Sequence, residues 1–170
     1  MKLIIRRMTI DDVPAVVELD RKSFSLPWPE RSFRFELTDN PASRCWVAEL
    51  QGKIVGMIVV WLLVDEAHVA TIATHPEFRR KGIAKRLLSH ALRHLISEGA
   101  RSSFLEVRES NFAAQEMYRK FGYEETGRRR RYYKDNDEDA ILMNLGSLKA
   151  ERLMFDDWHS ALDKEEQNER

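Results

Sequence analysis

Two groups of residues in this chain have the types and spacing that chemistry needs. The first lies in the run Thr74 to Leu88, THPEFRRKGIAKRLL, where a strand pattern ends, Arg79, Arg80 and Lys81 follow, and Gly82 opens a long apolar helix. The first turn of a helix leaves amide hydrogens without partners and carries partial positive charge. Such amides can hold a diphosphate when no side chain blocks the approach, which accounts for glycine at 82 and the small Ala84. From Arg79 to Arg93 six residues are basic and none is acidic. The run is neither a P-loop, which needs Gly-Lys-Ser/Thr, nor a full Gly-x-Gly-x-x-Gly fingerprint. The second group is Glu106 and Tyr118, a carboxylate and a phenol, side chains able to carry protons. Strand alternation puts Leu105 and Val107 on one face and Glu106 with Arg108 on the other, which also suits a plain solvated pair. Tyr118 follows Asn111 by two helical turns, so both can face one cleft. On residue type alone, Tyr118 equally suits a core position beside Met117 and Phe121, and Asn111 a simple N-cap.

The surrounding pattern supplies elements to position these residues. Lys2 to Arg6 reads as a strand, and Thr9, Asp12 and Pro14 open a helix with Val13, Val16, Val17 and Leu19 on its apolar face. The segment SLPWPE, Ser25 to Glu30, breaks that helix before a second from about Glu30 to Thr38. Strands follow at Arg44 to Leu50, Ile54 to Val64 and Glu66 to Thr74, the first two joined by the turn signal Gln51-Gly52-Lys53. Apolar residues from Ile83 to Ile96 recur at helical spacing up to Gly99. A strand at Ser102 to Arg108, a helix from about Asn111 to Phe121, and strands from Tyr123 and over Ala140 to Leu145 complete the order βααβββαβαββ. This predicts an α+β domain over residues 1–146: a central twisted mixed sheet of about seven strands with helices on both faces.

From Ala150 onward seven acidic residues face only Arg152, Lys164 and Arg170, while Leu148, Phe155, Trp158 and Leu162 suit one helical stripe. The stretch 147–170 reads as an acidic, part-helical extension, lying on the domain's own surface or serving a partner or a second copy.

Composition narrows the function classes. Lys plus Arg number 28 and Asp plus Glu 28, a balance against duplex nucleic-acid binding by bulk attraction. The longest apolar run, Met57 to Val64, falls well short of the ~20 residues that a membrane-spanning helix requires, and MKLIIRR has no apolar stretch suited to a secretory signal. Cys45 is the single cysteine, so neither an internal disulfide nor a thiolate metal cluster is possible, and a reducing, cytoplasmic setting is expected. His90 and His94 lack a third metal ligand at suitable spacing and read as an exposed helix face, and His68 and His75 are uninformative.

The run RRKGIA, with Arg79, Gly82 and Ala84, resembles the Arg/Gln-x-x-Gly-x-Gly/Ala signature of the GCN5-related N-acetyltransferase (GNAT) family, whose element order matches residues 2–145. Phe24 to Trp28 (FSLPW), Leu105 to Asn111 (LEVRESN), Tyr118 in EMYRKFGY, and Arg130 to Met143 (RRYYKDNDEDAILM) resemble its protein N-terminal branch. The resemblance implies acetyl-CoA as co-substrate, without a metal, and direct transfer in a ternary complex. It implies that Ile72, Ala73 and Thr74 offer backbone groups to the pantetheine arm. It further implies that Arg79, Arg80, Lys81, Gly82, Ile83, Ala84 and Lys85 enclose the diphosphate and that Asn111 touches the cofactor. Glu106 would be the general base and Tyr118 the acid that protonates the leaving thiolate. An α-ammonium near pKa 8 and an ordinary Glu near 4.3 differ by about 5 kcal/mol, so Glu106 must have a raised pKa, act through water, or hold the ammonium until solvent takes its proton.

By the same resemblance Phe24, Pro27 and Trp28 form one wall of the acceptor entrance, and the hairpin carrying Tyr132 and Tyr133 the other. Arg128 to Arg131 precede Asp135, Asp137, Glu138 and Asp139, which favours an internally compensated hairpin over a nucleic-acid patch. The acceptor implied is a protein α-amine, an N-terminal alanine of a ribosomal protein. A lysine side chain or small amine is the second reading, and a non-enzymatic CoA-sensing or RNA-contacting module the third.

Overall fold

A computed structural model of the chain describes residues 2–153. The strands are β1 (Leu3–Arg7), β2 (Ser43–Leu50), β3 (Lys53–Leu63), β4 (Glu66–Thr74), β5 (Ser102–Arg108), β6 (Glu124–Tyr133) and β7 (Glu138–Leu145). The helices are α1 (Val13–Ser23), α2 (Glu30–Thr38), α3 (Ile83–Ser97) and α4 (Phe112–Phe121). All seven strands join one sheet in the order β1-β2-β3-β4-β5-β7-β6, antiparallel throughout except for the parallel pair β4–β5. The order read from the sequence is borne out, with ends moved by a residue or two at most strands.

The alternation of apolar residues along the strands builds two cores, one on each face. Ile58 and Val60 of β3 and Leu105 and Val107 of β5 join Leu87, Leu88, Leu92 and Leu95 of α3 and Tyr118 and Phe121 of α4. Met57 and Val59, on the opposite face of β3, join Val13, Val16 and Val17 of α1 and Phe33 of α2. Gln51 and Gly52, both at positive φ (48° and 77°), make the tight β2–β3 turn that glycine favours.

One irregularity shapes the molecule. Val59 pairs with Thr71 and Val60 with Val69, so Ala70 is an extra residue in β4. The bulge reverses the strand's facing: Ala67 and Val69 belong to the α3 core before it, whereas Ala73 belongs to the α1 core after it. Pairing between β4 and β5 stops at Val69↔Leu105. Beyond that rung β4 bonds only to β3, and β5 only to β7, so the two strands part and leave a gap in the sheet.

After β7 the chain stays on the domain. Leu148 N–H donates to the Arg101 carbonyl, the Leu153 carbonyl accepts from Ser89 Oγ at 2.8 Å, and Leu148 and Leu153 join the α3 core. Phe155, Trp158 and Leu162 lie outside the described residues. Among the described residues no helix is long and apolar enough to cross a membrane.

Candidate active site

The gap between β4 and β5 is flanked by the N-terminus of α3, which follows β4, and that of α4, which follows β5. Gly82 caps α3 at φ +78°, and no side chain caps that end. A Cβ there would meet nothing within 4 Å, so the glycine serves conformation and leaves open space over the first-turn amides. Arg80 also takes positive φ (63°), folding the basic loop tightly. The helix is pulled onto the sheet at Gly56, where a Cβ would stand 2.9 Å from both Ile83 Cγ2 and Leu87 Cδ1. Ile83 is 1% exposed, whereas Gly82 is exposed and Ala84 and Lys85 are half-buried, so these are the open part of the first turn. Along the parted edge of β4, Ile72 and Thr74 are half-buried and Ala73 is buried, and Thr74 Oγ1 is buried with no partner among the described residues. An open helix N-terminus, a basic loop and an unpaired strand edge fit a diphosphate joined to an extended amide-bearing arm. Asn111 caps α4, its Oδ1 accepting from Ala114 N–H at 3.2 Å.

Glu106 lies one residue beyond the last β4–β5 rung, facing the α1/α2 side of the sheet. It does not pair with Arg108. Its Oε2 lies 2.9 Å from His68 Nε2, on β4, and both side chains are mostly buried. That hydrogen bond holds the Glu106 carboxyl below the usual carboxylate range, outweighing partial burial, which pushes upward. The hydrogen bond runs against a raised pKa, and of the three routes named for a Glu106 base it favours a water relay or a held ammonium. His68, uninformative in the sequence, is brought onto Glu106: its partner is 38 residues away, across a parallel pair, where local spacing carries no signal.

Tyr118 is 4% exposed, edge-on to Tyr123 with ring centroids 5.6 Å apart. Burial pushes its phenol well above the ordinary range, so it stays protonated. No described residue is hydrogen-bonded to its hydroxyl. The neighbouring Tyr123 hydroxyl is committed, donating to Ser103 Oγ at 2.7 Å.

The two walls named from the sequence are brought together. Trp28 N–H donates to Asp20 at 2.7 Å, and the Trp28 ring leans on Phe33 at 5.4 Å, fixing the loop that carries Phe24 and Pro27. Opposite, the Tyr132 and Tyr133 rings meet edge to face at 5.2 Å, and the Arg108 guanidinium lies 3.9 Å over Tyr133. Burial pushes the Tyr133 phenol up to about 12. Arg108 reaches Asp135 at 3.1 Å and Glu138 at 3.3 Å, and Asp135 also accepts from the Ser25 hydroxyl. The hairpin is thus compensated differently from the simple expectation: Arg108 takes Asp135 and Glu138, while Arg128 pairs mainly with Glu109 and Glu125 and lies 3.9 Å from Asp139.

His90 is exposed and His94 half-buried on the helix face, and both are engaged there. Both rings meet Trp46 edge-on, at 5.7 and 5.3 Å, and Arg7 lies over the same indole at 4.4 Å while reaching His94 Nε2 at 2.8 Å.

Comparison with known proteins gives one answer. Residues 13–123 match the model of the acetyltransferase (GNAT) family. The chain is 32% identical over 152 residues to the [ribosomal protein bS18]-alanine N-acetyltransferase of Escherichia coli K12, covering 83% of this chain and 95% of that one. It is 38% identical over 142 residues to a Bacillus subtilis protein provisionally assigned the same reaction, covering 84% and 94%. Among solved structures, the E. coli ribosomal-protein-S18-alanine N-acetyltransferase superposes with a TM-score of 0.79 at 31% identity, over 91% of this chain and all of that one. Ard1 from Thermoplasma volcanium superposes with a TM-score of 0.80 at 25% identity, over 88% and 100%.

Proposed function

This chain belongs to the GNAT family and is an acetyl-CoA-dependent N-acetyltransferase, and from that premise we propose that its acceptor is a protein α-amine, the N-terminal alanine of a ribosomal protein. The observation that carries this reading is the braced entrance over Glu106. Ser25 on one wall and Arg108 beside the other share Asp135, so the opening is held by a charged tie and not left as an open groove. The likeness to two alanine N-acetyltransferases over more than four-fifths of each chain supports the same acceptor.

In this reading the first-turn amides from Ile83 to Lys85, with Arg79, Arg80 and Lys81, hold the diphosphate, and the parted edge from Ile72 to Thr74 hydrogen-bonds the pantetheine amides. The bound thioester supplies an activated acyl carbon. Asn111 borders the same ligand from α4. Glu106, ionised and oriented by His68, draws the acceptor ammonium into the gap and passes its proton outward through water. Only about a tenth of an α-amine is neutral at pH 7, so this step matters. Tyr118, protonated and buried, donates to the departing thiolate. Phe24, Pro27, Trp28, Tyr132 and Tyr133 grip the first residues of the acceptor.

The test is a set of peptides with acetyl-CoA: one with free N-terminal alanine, the same peptide blocked at its α-amine, and a blocked peptide with internal lysines. Acetylation of the first alone is expected. Labelling confined to blocked, lysine-bearing peptides would overturn the acceptor reading and leave the enzyme class intact.

A further inference from the structure

Beside the acceptor entrance, on the α1/α2 side of the sheet, is a pocket of about 400 Å³ lined by Trp28, Arg31, Ser32, Phe35, Glu36 and Trp61. This size suits a side chain or small ligand. Its composition is unusual for a surface depression next to a helix. Three aromatic side chains line it, and one of them, Phe35, is 50% exposed while Phe33 of the same helix is buried. At the same place lies a carboxylate, Glu36, that is only 7% exposed. Its Oε2 accepts from Trp61 Nε1 at 2.8 Å and from Asn40 Nδ2 at 2.9 Å, which fixes the carboxylate in place. No described residue donates to Oε1, and that atom is not sealed from solvent.

The lining of the pocket touches the residues around Glu106. Trp28 belongs both to it and to the entrance wall, and the Trp61 ring meets His68 edge-on at 5.1 Å, while His68 bonds Glu106 at 2.9 Å. Two contacts therefore separate the pocket from the carboxylate that receives the amine. An extended chain advances ~3.3 Å per residue, so the residues just after the first can reach this pocket.

We propose that the trough of Trp28, Phe35 and Trp61 over Glu36 is a specificity subsite that takes a positively charged side chain, lysine or arginine, from the second to fourth residue of the acceptor. This inference rests on the acceptor reading above. Aromatic faces attract cations through their negative quadrupole, and a long basic side chain lays its methylenes on them while its head seeks an anion. Glu36 supplies that anion. Arg31 also borders the pocket, but it is exposed, and its charge is weakened by water far more than that of a carboxylate held in the protein. Ser32 and the free lone pairs of Glu36 Oε1 can take the remaining donors of the incoming head group.

The experiment uses peptides that begin with alanine and differ only at residues two to four: lysine, its neutral isostere norleucine, or glutamate, each at one position. They are assayed with the full chain as wild type, Glu36→Gln and Phe35→Ala. Calorimetric titration with CoA checks that each variant is folded and holds the co-substrate. The wild type is expected to favour lysine over norleucine in kcat/KM on the order of tenfold at one of these positions, through KM. Glu36→Gln should bring that ratio close to one, and Phe35→Ala should reduce it for lysine while kcat on the norleucine peptide is kept. Equal kcat/KM for lysine and norleucine at all three positions, or a preference for glutamate, overturns the subsite while the acceptor reading survives. Absence of acetylation of every alanine-first peptide overturns the acceptor reading, and the subsite falls with it.

Discussion

His68 is locked against Glu106 by its neighbours as much as by the 2.9 Å hydrogen bond between them. Its ring stacks flat on Phe104 at 4.2 Å and meets Trp61 edge-on at 5.1 Å, so few orientations are open to it. The acid-base group proposed for the site is thus a pair assembled across two strands, and removing either member alters the other.

Replacing His68 with alanine should move the acidic limb of the pH–rate profile upward. The wild-type Glu106 carboxyl is held below its usual range by His68, so it is charged across neutral pH and loses its charge only as pH falls through that lowered value. Without His68, the burial that remains pushes the pKa up, and charge is lost at higher pH. Turnover of the variant relative to wild type should fall progressively as pH drops below neutrality and recover toward pH 8. In the wild type, kcat/KM should climb with the α-amine's own titration to near pH 8. Matched pH profiles check both.

Tyr118→Phe should lower kcat about 100-fold, within the range of a lost proton donor. The ring keeps its place against Tyr123, so thermal unfolding and calorimetric CoA affinity should stay near wild type. Wild-type turnover would remove Tyr118 from the chemistry.

Gly82→Ala adds a methyl where the free protein has open space, yet imposes φ +78° on a residue that resists it. The strain costs roughly 1–2 kcal/mol of stability. Affinity for CoA should fall on the order of tenfold, since the methyl would stand over the amides proposed to bind the diphosphate. Calorimetry separates the binding loss from the stability loss read by denaturation.

Asp135→Ala removes the tie between the walls. The peptide KM should rise about fivefold, while the KM for acetyl-CoA stays constant, because Asp135 joins Ser25 and Arg108 and touches neither α3 nor α4. Equal changes in both constants would assign Asp135 a general structural role instead.

Asp20 is fully buried, its Oδ1 unpartnered among the described residues, and burial pushes its carboxyl from 3.8 to about 6 despite the Trp28 N–H. The folded state therefore binds the proton more tightly than the unfolded one. Below pH 4 both states are protonated and nothing is lost; from pH 4 to 6 stability falls as pH rises, by up to about 3 kcal/mol, and stays lower above. Asp20→Asn should abolish this component. Urea denaturation of both proteins at pH 4.5 and 8 should show a stability difference that moves in favour of the variant at the higher pH.

The fold was legible because its elements follow simple periods. The strict alternation in Ser102 to Arg108 and the amphipathic run from Ile83 to Ile96 gave elements that the structure reproduces to within a residue or two. Gly82 was legible because a loop rich in positive charge ends there and a helix begins. The partners of Glu106 and Arg108 were not. Each sits on a strand face and chooses among side chains delivered by distant segments: His68 from β4, Asp135 and Glu138 from the β6–β7 hairpin. Register decides such pairs, and register at β4 depends on the extra residue Ala70, which has no mark in the local pattern. The Trp46 cluster with His90, His94 and Arg7 was hidden for the same reason.

Ala70 also has an energetic meaning. By bending β4 away from β5 it leaves several main-chain donors and acceptors unzipped in the middle of a sheet, a place where most proteins would close every rung. A chain lacking that one residue could continue its ladder and gain rigidity, at the loss of the slit in which the two substrates are proposed to meet. The vacancy that makes the sheet weaker at its centre is what gives an extended visitor a strand's worth of bonds to complete.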